Sequence, residues 1–306
     1  MGSRSALLVV AIASSMGCAT ARIHDERSAA PSSPSAPVIA VPFHAQEAYE
    51  CGPAALAMTL GWSGLEIAPA DIVGEVFTPG RKGSIQTDLV AAARRRDRVA
   101  YVVHGRDELL AELAAGNPVI VLQNLGLSWL PRWHYAVVVG HDTTRGAFVL
   151  HSGRDANRAV GEATFAHTWR RADEWGLLTL PPERIAATAD EQRWLAAGVG
   201  LEQAGRVQAA GAAYGAAIKR WPESLAARIG LANVEYAGGD FAAAERSLRS
   251  AIAGHPTAAV AWNNLAQLLG ERGRKTEAIE AARRADALGG PDIDVYKDTL
   301  EAIERR

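Results

Sequence analysis

The pattern of apolar and polar positions changes character twice along the 306 residues. From Val38 to about Leu180 the apolar runs are short and mixed in period. Val38-Ile39-Ala40-Val41-Pro42-Phe43 reads as a short strand. Gly52 to Leu60 has helical spacing and stops at Gly61, and Leu89 to Arg96 and Arg106 to Ala115 read as further helices. Asn117 to Gln123 reads as a buried strand entered through Pro118. Tyr135 to Val139 and Ala147 to Leu150 form a strand pair, with Asp142 to Gly146 as its turn. Helices come first and strands cluster later, which suits an α+β domain better than a doubly wound sheet.

Pro181-Pro182 marks a boundary, and residues 181–190 read as a linker. Beyond it Ala, Arg, Glu and Leu dominate and a period of 34 residues appears. Gly205, Gly239 and Gly273 keep that interval, as do Ala210, Ala244 and Ala278, and Ala217, Ala251 and Ala285. Pro222 and Pro256 keep it too, while Pro291 comes one residue late. Trp194 and Trp262 share a phase two repeats apart. These residues resemble the tetratricopeptide repeat. The resemblance implies an all-α solenoid over 191–306, with repeats at about 191–224, 225–258 and 259–292 and then a capping helix. It also implies either a protein partner bound on the solenoid's concave surface or repeats that simply brace the domain before them.

Ahead of the folded part, Arg4 and the apolar run Ala6 to Ala13 read as a targeting segment too short to span a bilayer. Ser15-Met16-Gly17-Cys18 resembles the end of a bacterial lipoprotein signal, 1–18, with Cys18 the acylated residue. That resemblance implies a membrane-anchored protein of the cell envelope. Ala19 in place of aspartate after the cysteine implies the outer membrane, facing the periplasm. Residues 19–37, rich in Ala, Ser and Pro, read as a disordered tether reaching up to roughly 60 Å. The net charge of −2 gives no general pull toward nucleic acid. Arg94-Arg95-Arg96 reads as the solvated face of a helix.

With Cys18 lipidated, Cys51 is the one free thiol, since the chain has two cysteines. It begins the apolar helix of Gly52-Pro53-Ala54-Ala55, where proline suits the first turn. The helix dipole and a nearby imidazole favour a thiolate there. His134 opens an apolar strand and reads as the base. Gln46, five residues before the cysteine, reads as an oxyanion donor together with the Cys51 backbone N–H. Each residue alone also fits a structural role: a buried thiol, a strand-end histidine, a loop glutamine. Trp129 and Trp133, on either side of a proline before His134, read either as a cleft wall or as a cap on the core. His44, His104, His141, His151 and His167 do not make a metal-ligand spacing, and neither metal nor cofactor is expected.

Gln46 to Leu56, Pro118-Val119-Ile120-Val121 and His134 to Asp142 resemble the cysteine peptidases that remove double-glycine leaders from bacteriocins, and their papain-like relatives. The resemblance covers about 40 to 180. It implies a papain-like domain over 38–180, with Cys51 as nucleophile, His134 as base and Gln46 as oxyanion donor. In that family an aspartate on the next strand orients the histidine. Here its place falls on Ser152, with Asp155 and Asn157 nearby, so the third member is Ser152 or Asp155. The phosphate-binding G-x-x-x-x-G-K-[ST] of the exporters often fused to such peptidases does not occur in the sequence. The expected protein is thus a lipid-anchored cysteine peptidase acting on a peptide or protein. The alternative is a repeat scaffold whose peptidase-like domain only recognises peptides. The same apparatus also suits acyl transfer or deamidation.

Overall fold

The computed structural model describes residues 37–46, 49–78, 80 and 83–305. The signal, Cys18 and the tether up to residue 36 lie outside the described residues. No described helix is long and apolar enough to cross a membrane.

Three helices come first: α1 (Cys51–Trp62), α2 (Ala70–Val76) and α3 (Gln86–Arg95). Six strands follow: β1 (Val99–His104), β2 (Val119–Asn124), β3 (Trp133–Asp142), β4 (Ala147–Ser152), β5 (Asp155–Gly161) and β6 (Trp175–Leu180). Helix α4 (Gly105–Ala114) lies between β1 and β2, and α5 (Glu162–Arg170) between β5 and β6. The strands form one antiparallel sheet in the order β1-β6-β2-β3-β4-β5.

Alternation along the strands gives the sheet two buried faces. Tyr135, Val137 and Val139 of β3 pack with Leu56, Met58 and Leu60 of α1 and with Leu89 of α3. Ala136 and Val138 point the other way, into a core with Leu109 and Leu113 of α4 and Phe165 and Trp169 of α5. That second core continues without a break into the helical half, through Trp194, Ala197, Leu201, Ala210 and Tyr214.

The helical half consists of the pairs α6/α7 (Glu191–Gln203, Val207–Arg220), α8/α9 (Leu225–Ala237, Phe241–Gly254) and α10/α11 (Ala259–Glu271, Lys275–Leu288). Helix α12 (Ile293–Arg305) closes it. The 34-residue period has a backbone cause. Gly205, Gly239 and Gly273 follow the first helix of each pair at φ of +71°, +81° and +74°, the left-handed turn that glycine adopts without strain. The recurring alanines, 210, 244 and 278 and then 217, 251 and 285, are all fully buried, so neighbouring helices approach closely there.

Three expectations need correction. Residues 38–43 run extended but form no strand. Ile39 N–H donates to Val139 O at 2.7 Å, and Pro37 and Pro42 have no N–H to continue a ladder. Arg94-Arg95-Arg96 is not one solvated face. Arg95 and Arg96 bond Glu75 at 2.8 and 2.5 Å, whereas the Arg94 guanidinium packs on Gly200 of α6. Residues 181–190 are no free linker. Ala186 is buried in the shared core, and Tyr101 donates to Thr188 O at 3.2 Å.

The deepest tie is the carboxylate of Glu112, fully buried on α4. It accepts from Asn117 Nδ2 at 2.6 Å, Ala187 N at 3.1 Å, and Thr188 N and Oγ1 at 2.7 and 2.6 Å. Arg193 of α6 bonds Glu108 at 2.6 Å and lies 4.8 Å from the Tyr101 ring centre. Arg206 bonds Asp97 at 2.5 Å.

Candidate active site

Cys51 is the first residue of α1, and no acidic side chain occupies the first turn. The backbone N–H groups of Gly52 and of Cys51 itself, the free donors of a helix start, act on its thiol in favour of the thiolate. The backbone N–H of Tyr135, the residue after His134, acts in the same direction. The packing of α1 on β3 thus brings the thiol to the strand that carries the histidine.

His134 Nε2 lies 2.9 Å from Ser152 Oγ, across the β3–β4 pair. The other ring nitrogen, Nδ1, remains for chemistry. Asp155 does not come to the ring. Its side chain is 65% exposed and its carboxylate faces Arg158 at 3.9 Å. Of the two residues considered for the third position, Ser152 is therefore the one that contacts His134. Asn157 donates its backbone N–H to His151 Nδ1 at 3.1 Å.

Gln46 is buried and its amide is largely committed. Nε2 donates to Tyr135 O at 3.1 Å, and Oε1 accepts from Gly153 N at 2.9 Å. The Gln46 backbone N–H donates to Gly153 O at 2.9 Å. Gln46 therefore clamps the backbone beside both His134 and Ser152. One amide N–H is left for an oxyanion.

The electrostatics depart from the expected thiolate. Burial raises the Cys51 thiol above its ordinary value and outweighs the three backbone donors. Burial, then the cations Arg132 and Arg158, lowers His134 to about 4. At neutral pH both groups are uncharged. No hydrogen bond joins the Cys51 thiol to the His134 ring among the described residues; each has the separate partners given above.

The other histidines have local roles. His141 Nε2 meets Glu162 at 2.6 Å, and His151 Nε2 meets Val41 O at 3.1 Å. Trp129 and Trp133 are exposed, so neither caps the core. The Tyr135 and Gly153 backbone contacts escape a reading of side chains in sequence, because backbone donors carry no residue signature. Gln123, opposite His134 in the β2–β3 register, was also not singled out. Its place after Val119 to Leu122 was the available signal.

An antiparallel sheet with a cysteine at a helix start and a histidine opening a strand defines a peptidase-like domain joined to a helical-repeat solenoid. Residues 38–175 match the family model described as Peptidase_C39 like family. Residues 195–259 and 229–293 match that of the tetratricopeptide repeat. The chain thus carries a Peptidase_C39-like domain followed by tetratricopeptide repeats. No curated protein matches it. Among solved structures it is similar to the Yersinia enterocolitica type III secretion chaperone SycD in complex with a peptide of the translocator YopD. Identity is 18% over 37% of this chain and 92% of that one, with a TM-score of 0.35. An alternative dimer of SycD from the same organism matches at 18% identity over 38% and 92%, with a TM-score of 0.36.

Proposed function

We propose that this protein is a cysteine peptidase that hydrolyses a peptide or protein, with its repeats holding a protein partner. The observation that carries the reading is the Cys51 thiol at a helix start against the Tyr135 N–H, one residue from a histidine held by Ser152. With Nε2–H donating to Ser152 Oγ, His134 Nδ1 takes the thiol proton as sulfur attacks the scissile carbonyl. The Cys51 backbone N–H and the remaining Gln46 amide N–H hold the oxyanion. The imidazolium returns the proton to the leaving amine, and water, deprotonated by Nδ1, releases the acyl group from sulfur.

Because the resting pair is neutral, proton transfer accompanies attack rather than preceding it. The sign of the pH dependence follows. His134 is a competent base above about 4 and is lost as pH falls through that value. The test is kcat/KM against pH on a denatured protein substrate. The expected acid limb lies near 4, with no loss around 6.5, the ordinary histidine value. Ser152→Ala is expected to lower kcat about tenfold and Asp155→Asn to leave it unchanged. A limb at 6.5, or an Asp155→Asn defect with none at Ser152, overturns this assignment.

A rival reading, an inert peptide-recognition domain on a repeat scaffold, draws on the missing Cys51–His134 bond and on a serine where an acid would stand. Peptide binding with no turnover by the unsubstituted chain would favour it.

The lipid-anchored, periplasm-facing location belongs to this proposal and is supported by the sequence around Cys18. Incorporation of labelled palmitate in bacterial cells, lost in Cys18→Ala, is the expected result; equal labelling of both sinks it.

A further inference from the structure

Ten large apolar residues are exposed among the described residues, and five of them fall between Leu125 and Trp133. Leu125, Leu127, Trp129, Leu130 and Trp133 are 46 to 78% exposed. Half of the exposed large apolar residues thus fall in one short stretch, and clustering of this kind marks a binding surface. It forms the connection between β2 and β3, and it ends one residue before His134. Tyr49, two residues before Cys51, is exposed as well.

The hairpin is built to hold a shape. Asn124 Oδ1 accepts from Gly126 N and Arg132 N, both at 2.9 Å. Leu125 N donates to Arg132 O at 2.8 Å, and Leu127 and Leu130 exchange backbone bonds at 3.1 Å. Arg171 donates to Gly126 O. A side chain at Gly126 would sit 2.4 Å from Leu130 O, so the fold of the hairpin requires glycine there. An apolar surface on a backbone fixed in advance loses little entropy when it binds.

We propose that this hairpin is the substrate lip of the Cys51–His134 site and takes bulky apolar side chains of a polypeptide next to the scissile bond. The inference rests on the peptidase reading and names its substrate class. Continuity with the reacting groups selects the occupant. Trp133 adjoins the base and Tyr49 lies beside the nucleophile, so the apolar surface borders the site instead of lying apart from it. A bilayer seated on the same side chains would cover the cleft. Arg132, in the hairpin itself, is one of the cations acting on His134, while Arg158 faces the Asp155 carboxylate, so the hairpin favours a neutral or acidic segment over a basic one.

The test separates binding from cleavage. The full chain carrying Cys51→Ala is titrated into fluorescein-labelled decapeptides whose four central residues are Leu, Phe or Trp, and into matched decapeptides with Ser there. The same chain with Trp129→Ser and Leu130→Ser is the comparison; both residues are exposed, so the fold is retained, as circular dichroism would verify. The expected result is binding of the apolar peptides, weakened about tenfold or more by the two substitutions, with the Ser peptides unbound. Equal affinity for both proteins, or no binding of apolar peptides, overturns the lip. So does sedimentation with phosphatidylethanolamine–phosphatidylglycerol vesicles that depends on Trp129 and Leu130 while peptides do not bind. Hairpin-dependent binding without turnover by the unsubstituted chain would keep the lip and remove the peptidase. Cys51-dependent turnover indifferent to the hairpin would do the reverse.

Discussion

Cys51→Ala is expected to lower peptide hydrolysis by about 10⁴-fold while the protein still folds. In the proposed mechanism the sulfur forms the acyl bond, and no second thiol lies in the described residues to replace it. Its loss removes no side-chain partner on which α1 depends, because the groups acting on it are backbone N–H groups. Two of those belong to the helix start and can turn to water or substrate. A stability change near 1 kcal/mol is therefore expected, measured by urea unfolding. Cys51→Ser should be almost as inactive, since the hydroxyl in this buried site has no neighbouring charge to activate it. His134→Ala should fall less far, because attack then proceeds without a base but still with oxyanion donors. Comparable activity in wild type and Cys51→Ala would end the covalent mechanism.

The largest expected stability effect lies far from the thiol. Glu112→Ala is expected to destabilise the protein by about 3–5 kcal/mol, because it removes the one acceptor that several donors share. The change strands four donors: Asn117 Nδ2, Ala187 N, Thr188 N and Thr188 Oγ1. A buried donor left without a partner costs about 1–3 kcal/mol, which applies in full to Asn117 Nδ2, whereas the half-covered groups of residues 187 and 188 regain part of it from water. Glu112→Gln keeps one acceptor but turns an NH₂ toward donors, so it should fall between. Urea unfolding followed by tryptophan fluorescence measures both. Faster proteolysis within residues 181–190 should accompany the loss, because those residues are held down by this carboxylate. A cost under about 1 kcal/mol for Glu112→Ala would mean the network is solvated and contributes little.

The sequence exposes its regularities and hides its long-range ties. The repeats were legible because a left-handed glycine and close-packed alanines must recur wherever the same helix pair recurs. The start of α1 and strand β3 were legible because an apolar period and a strand opening are local patterns. Strand β5 was not, since it is exposed along nearly its whole length at the edge of the sheet and has no apolar alternation. Strand β1 was missed too; Val99 to Val103 is a short apolar run next to an arginine cluster that looked like helix surface. Nothing in the composition of 181–190 says that a carboxylate some 75 residues earlier binds it. Likewise Arg94 reads as a surface charge until α6 is laid on it. At the site, Ser152 and Asp155 were equal in sequence. The hairpin geometry of β4 and β5 separates them by directing one to the imidazole and the other to solvent.

The core that runs from β3 into α6 and α7 divides the solenoid into unequal parts. Helices α10 and α11 bury their apolar residues mainly with each other, with α9 and with α12, in clusters apart from the sheet. The last repeat is therefore a module that can be duplicated or exchanged, with α12 moved along as the end piece. The first pair cannot be treated in this way: in folding terms, α6 and α7 are the missing wall of the peptidase-like domain. A truncated protein meant to retain the peptidase-like half has to keep α6, α7 and the α8 residues Ala227 and Val234 that share its core, and not end at the proline pair where the repeat-free sequence stops.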